Sequence, residues 1–139
     1  MTADSKSRFS AVLLLGFLLA SSDDVRALEL TGAWAASADQ CGKVFTRKGR
    51  ANAIAFTELS ERHGGGFVIE ASRIRGKFTT CVIKARKDDG QTLNLIAGCA
   101  TDIILSNVQF SLKVLDENSI ARQFPGMDGL EVRYFRCPI

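Results

Sequence analysis

Two runs of alternating side chains flank Asp88-Asp89-Gly90, and each run carries a cysteine on its apolar side. The stretch is Phe78 to Cys99, FTTCVIKARKDDGQTLNLIAGC. Glycine tolerates the positive φ that a tight reversal needs, and Asp-Gly is among the strongest short-range hairpin signals. On the incoming run Cys81, Ile83 and Ala85 share one side while Lys84 and Arg86 take the other. On the outgoing run Leu93, Leu95, Ala97 and Cys99 oppose Thr92 and Asn94. Register follows from this pattern. A loop of Asp89-Gly90 alone would set one strand's apolar side chains against the other's polar ones, which a half-buried sheet resists. A loop of Asp88 to Gly90 pairs Ile83 with Leu95 and leaves Cys81 diagonal to Cys99. A longer loop, or a bulge farther along, places the cysteines directly opposite, and that is the expected arrangement.

The N-terminus reads as an address. Lys6 and Arg8 precede an apolar run, Phe9 to Ala20, and Val25-Arg26-Ala27 is a small-residue cleavage site, with cleavage after Ala20 or Ser22 as alternatives. The run is shorter than the roughly 20 apolar residues that span a bilayer, so residues 1–27 are expected to be a secretory signal peptide rather than an anchor. Residues 28–139 then form a single domain in the periplasm or outside the cell. The 27-residue segment holds as many acidic as basic residues, so the net charge of +3 belongs to the domain. That charge is too mild to point to a nucleic-acid partner.

Cys41, Cys81, Cys99 and Cys137 all lie in the domain, and an even count in a short exported chain reads as two disulfides. Three pairings are formally possible. Cys81–Cys99 would close the central hairpin on its buried side, and Cys41–Cys137 would tie the region after the first strand to the end of the last. No cysteine or histidine pair has metal-ligand spacing, and the only histidine, His63, stands alone before a glycine run, so neither a metal nor a cofactor is expected. His63-Gly64-Gly65-Gly66 reads as a turn, because the oxyanion loop it superficially matches needs a partner G-x-S-x-G elbow that is absent from the sequence.

The remaining segments add strands. Lys43 to Thr46 is followed by the basic turn Arg47-Lys48-Gly49-Arg50, and Ala53 to Leu59 is a second weak strand. Phe67 to Glu70 alternates, Ser72-Arg73 turns, and Ile74 to Ile83 runs on into the hairpin. Thr101 to Leu105 is uniformly apolar enough to be a buried strand or one helical turn, broken by Ser106-Asn107. Val108 to Val114 alternates, Asp116-Glu117-Asn118 turns into Ile120 to Phe124, and Pro125 to Gly129 leads to the final strand, Leu130 to Cys137. Strands at this spacing predict an all-β fold: a small, disulfide-stapled, antiparallel up-and-down barrel of about eight strands, with a β-sandwich as the alternative. Closure is preferred because it removes exposed edges.

The chain opens this domain with Leu30-Thr31-Gly32-Ala33-Trp34, a G-x-W signature at a first strand, and closes it with a strand carrying Arg133 and Arg136. In these features it resembles the calycin superfamily of small barrels, in which a Trp of the first strand packs near the barrel floor under an Arg of the last. The resemblance gives Trp34 the first role and Arg133 or Arg136 the second. Read without it, Trp34 is equally an ordinary core aromatic. With Cys41 following shortly after, the chain is similar to the periplasmic metalloprotease-inhibitor family. There the residues before the first strand enter the protease cleft, which implicates Leu28, Glu29 and Leu30 here.

Function is read in two classes. The first is an exported protein-interaction module, including a hydrolase or protease inhibitor, whose partner is another envelope or secreted protein. The second is a carrier of a small apolar ligand in the barrel interior, lined by Phe67, Phe78, Phe110, Phe124 and Tyr134. A structural envelope protein is the remaining alternative. About 112 residues is short for a roomy barrel, which favours the first class. Arg75, Lys77, Lys84 and Arg86 would form an anion-facing patch if they share a solvent face, against the plainer reading of a charged edge that discourages aggregation. No nucleophile and base lie in a recognisable arrangement, so an enzyme is not expected, although Glu58, Glu61, Glu70, Asp102 and Glu131 could converge in three dimensions.

Overall fold

A computed structural model describes residues 28–139. The signal-peptide assignment for residues 1–27, with its cleavage sites, lies outside the described residues. The ten strands are β1 (Gly32–Ala35), β2 (Phe45–Lys48), β3 (Ala53–Phe56), β4 (Gly66–Ile69), β5 (Arg73–Arg75), β6 (Thr80–Asp89), β7 (Thr92–Ala100), β8 (Leu105–Asp116), β9 (Ser119–Gln123) and β10 (Glu131–Cys137). Eight of them close into one antiparallel barrel in the order β1-β4-β5-β6-β7-β8-β9-β10, and β10 returns to β1. That last pairing, Ala33 with Cys137 and Ala35 with Phe135, distinguishes the barrel from the sandwich. Strands β2 and β3 form a hairpin outside the barrel.

Alternation builds two cores. In β1, Trp34 points inward while Ala33 and Ala35 point outward. The interior collects Trp34, Ile69, Ile74, Leu93, Leu95, Leu112 and Ile120 with both Cys81 and Cys99. The outer cluster packs Ala33, Ala35 and Val68 of the wall against Val44 and Phe45 of the excursion that carries β2 and β3. Cys41, in the helical turn Cys41–Val44, is bonded there to Cys137, with a Cα–Cα distance of 5.5 Å. Close approach of β4 to β1 requires a glycine: a methyl on Gly66 would lie 2.2 Å from the Trp34 carbonyl oxygen.

The central hairpin has its cysteines directly opposite, Cys81 with Cys99, and they are bonded. A bulge between Ile83 and Ala85 produces this register. The loop itself is Gly90-Gln91, with Gly90 at φ +60°, one residue later than the Asp-Gly signal suggests. Because one extra residue reverses which side chains face inward, Cys81 and Ile83 face the core above the bulge, whereas Arg86 and Asp88 share the side of Leu95 and Leu93 below it.

Three boundaries differ from the sequence reading. Ile74 to Ile83 is not continuous: Gly76 N–H donates to Thr79 O at 2.8 Å, and this turn separates β5 from β6. Thr101 to Ile104 is neither strand nor helix but a turn, in which the Thr101 hydroxyl accepts from the Ile104 N–H at 3.1 Å. Ser106 and Asn107 therefore belong to β8 rather than breaking it.

Candidate functional site

The two ends of the barrel differ. At one end Leu28 to Thr31 cross beneath the strands and cover part of it, leaving a pocket of about 270 Å³ between them and Ile69, Ile83, Leu93 and Leu95. Leu30 is buried, and its carbonyl accepts the indole N–H of Trp34 at 2.8 Å. Arg136 lies over the Trp34 ring, 4.4 Å from its centroid, and donates to the carbonyls of Thr31 at 2.8 Å and Glu29 at 3.2 Å. Of the two arginines that sequence offered for this place, Arg136 occupies it. Arg133 instead points to solvent beside Glu131. Arg86 and Asp88, turned inward by the bulge, complete the floor: Arg86 donates to Leu28 O at 2.6 Å, and the Leu28 N–H donates to Asp88 at 3.4 Å. The Arg86 hydrogen bond, followed by its charge, holds the Asp88 carboxyl below its ordinary value against the opposing effect of burial. Leu28, Glu29 and Leu30 are thus built into the floor.

The four cations of the suggested patch are dispersed. Arg75 bonds Glu70 at 2.7 Å and the Ile54 carbonyl of the outer hairpin at 3.0 Å. Lys77 pairs with Glu61 at 2.6 Å and donates to the Glu58 carbonyl. Lys84 lies across Gly98 toward Asn107, and Arg86 is in the floor. The bulge at Lys84 is the physical reason that Lys84 and Arg86 do not share a face. The carboxylates disperse likewise: Glu70 pairs with Arg73 and Arg75, Glu61 with Lys77, and Glu131 with Arg133. Among the described residues no cluster of three or more His, Cys, Asp or Glu could hold a metal ion.

The opposite end is open. A cavity of about 390 Å³ enters the barrel there, lined by Phe67, Ile74, Val108, Phe110, Tyr134 and the Cys81–Cys99 bridge. Phe67 and Tyr134 meet edge to face, with centroids 4.7 Å apart, and stiffen one wall. Two residues that sequence placed in the lining are outside it: Phe78 is 72% exposed on the adjoining β5–β6 turn, and Phe124, just after β9, does not line this cavity; Ile103 and Ile104 stand exposed on the β7–β8 turn and Leu105 at the start of β8. One cation is set into the apolar wall. Arg122, on β9 between Leu112 of β8 and Val132 of β10, lines the cavity, with its guanidinium carbon over the rings of Phe110 and Phe124, 4.7 and 4.8 Å from their centroids.

No family model, no curated protein and no solved structure matches this chain.

Sequence reasoning did not single out Arg122. The signal was present: Ile120, Arg122 and Phe124 fall on one side of a strand with period two, so a charged residue interrupts an inward-facing apolar set.

Proposed function

We propose that this protein is an exported barrel that binds a small, largely apolar molecule through its open end. The observation that carries the reading is the 390 Å³ cavity, within the size range of small-molecule sites, whose walls are mainly aromatic and aliphatic, with Thr79, Thr101, Ser106 and Arg122 as polar groups among them. The short chain, taken alone, ranks surface recognition ahead of ligand binding. The cavity reverses that order. Two disulfides, and the absence among the described residues of any helix long and apolar enough to cross a membrane, accord with a periplasmic or extracellular location.

A protein-interaction role is the second reading, and one specific observation favours it: Phe78, Ile103 and Leu105 are 72%, 89% and 82% exposed around the same mouth. In an inhibitor of the kind the G-x-W start resembles, Leu28 to Leu30 would need to leave the floor, where Arg86 and Arg136 hold their carbonyls. The Arg136–Trp34 contact supports the calycin-like resemblance without bearing on the inhibitor role.

Native mass spectrometry of protein purified without denaturation, beside affinity capture from the exporting cell's envelope, separates the two. A retained small molecule, released on denaturation, is the expected result. A stoichiometric protein partner with no small molecule retained would overturn the proposal in favour of surface recognition.

A further inference from the structure

The cavity contains a charge with no ion-pair partner among the described residues. Arg122 Nε is buried and has no hydrogen-bond partner among the described residues. The acidic groups paired among those residues, Glu61, Glu70, Asp88 and Glu131, pair with other cations. The rings of Phe110 and Phe124 lie against the guanidinium, and neither side chain carries a hydrogen-bond acceptor to meet its N–H groups. A cation held in an apolar wall without a counter-charge costs stability, and a buried donor without an acceptor adds to that cost. The floor makes the contrast clear: Arg86 and Arg136, also on inward-facing strand positions, have carbonyl or carboxylate acceptors at 2.6 to 3.4 Å.

We infer that Arg122 is the head-group site of the cavity, and that the ligand is a single-tailed amphiphile with a carboxylate head. This deepens the ligand-binding reading and rests on it. A planar guanidinium edge presents paired N–H donors that match a carboxylate. One cation with no second beside it fits a singly charged head better than a doubly charged phosphate, which would bring excess negative charge into an apolar wall. The apolar part of the lining, including Phe67, Ile74, Val108 and Tyr134, takes the tail. At roughly 30 Å³ for each water-sized volume, a cavity of 390 Å³ holds about a dozen, which points to a chain of medium length.

The test uses the purified, oxidised protein at pH 7 with the neutral fluorophore N-phenyl-1-naphthylamine, displaced in turn by decanoate, decanol and decylamine. Decanoate is expected to displace the fluorophore at concentrations at least tenfold below those of decanol, with decylamine weakest. In Arg122→Met the preference for decanoate over decanol should disappear, and the empty variant should unfold at the same or higher denaturant concentration. Equal displacement by decanoate and decanol in the unsubstituted protein would overturn the head-group assignment while leaving the cavity reading intact, and this comparison needs no variant to fold. Arg122→Met that folds but retains the decanoate preference would also overturn it. Failure of the fluorophore and all three amphiphiles to bind would instead remove the ligand-binding reading itself.

Discussion

Replacing Arg136 by Met tests whether the barrel floor is held by this one side chain. The substitution keeps an unbranched apolar stem over Trp34 and removes the charge and the donors. Two short hydrogen bonds disappear, to the carbonyls of Thr31 and Glu29, together with a longer and weaker one to the Glu117 carbonyl at 3.4 Å. Water can reach this edge of the barrel, so each short bond is worth about 1 kcal/mol rather than the larger value for a fully buried charged bond. The stacking of the guanidinium on the indole adds about 1 kcal/mol, giving an expected loss of about 3 kcal/mol. Urea unfolding followed by fluorescence reads this directly, because Trp34 is the only tryptophan and sits under the substituted side chain. Far-ultraviolet circular dichroism should give the same midpoint. Arg133→Met is the control: Arg133 is 66% exposed beside Glu131, and its loss should change stability by no more than about 0.5 kcal/mol. Equal effects of the two substitutions, or an Arg136→Met protein as stable as its parent, would refute the account of the floor.

The disulfides differ in the length of chain they close, 96 residues for Cys41–Cys137 and 18 for Cys81–Cys99. Loop entropy gives about 4.7 and about 3.2 kcal/mol respectively, so the paired Ala variant of the long bridge should lose more stability in denaturant titrations than that of the short one; the reverse order would contradict the entropic account. Asp88 has a depressed folded-state value relative to its ordinary 3.8, so its contribution to stability is complete above about pH 4 and is lost as pH falls through the lower folded value. Asp88→Asn should therefore flatten the acid limb of stability measured against pH, and an unchanged limb would show that the floor does not depend on this carboxylate.

Most of the barrel was legible because strands with one buried side announce themselves by period two, as β7 and β8 do. The central hairpin shows where that reading stops. Alternation fixes which side chains share a face only until a residue is inserted, and the bulge at Lys84 has no compositional mark that distinguishes it from its neighbours. Arg86 therefore read as solvent-facing although it belongs to the floor. Thr101 to Leu105 misled for a different reason. Five residues rich in Ile and Leu imply burial, yet Ile103 and Leu105 are exposed at the mouth, and no local rule marks an apolar turn left uncovered. The choice between Arg133 and Arg136 depended on strand register at barrel closure, a long-range quantity that neither residue's neighbours encode. Arg122 was hidden by expectation rather than by physics, since a lone charge in a short strand is ordinarily a solvated one.

The Cys41–Cys137 bond turns most of the molecule into a covalent ring containing nine of the ten strands. Cutting any one peptide bond on a ring opens it without dividing it. Sequence placed a turn at Arg47-Lys48-Gly49-Arg50, but Arg47 and Lys48 end β2 and the turn begins at Gly49; this exposed basic stretch, a ready target for trypsin-like proteases, lies on that ring and outside the barrel. A nick there would leave every barrel strand in place and all fragments attached, and would relocate the chain ends much as a circular permutation does. The excursion is therefore the part of this protein that a protease can sever at least consequence to the barrel behind it.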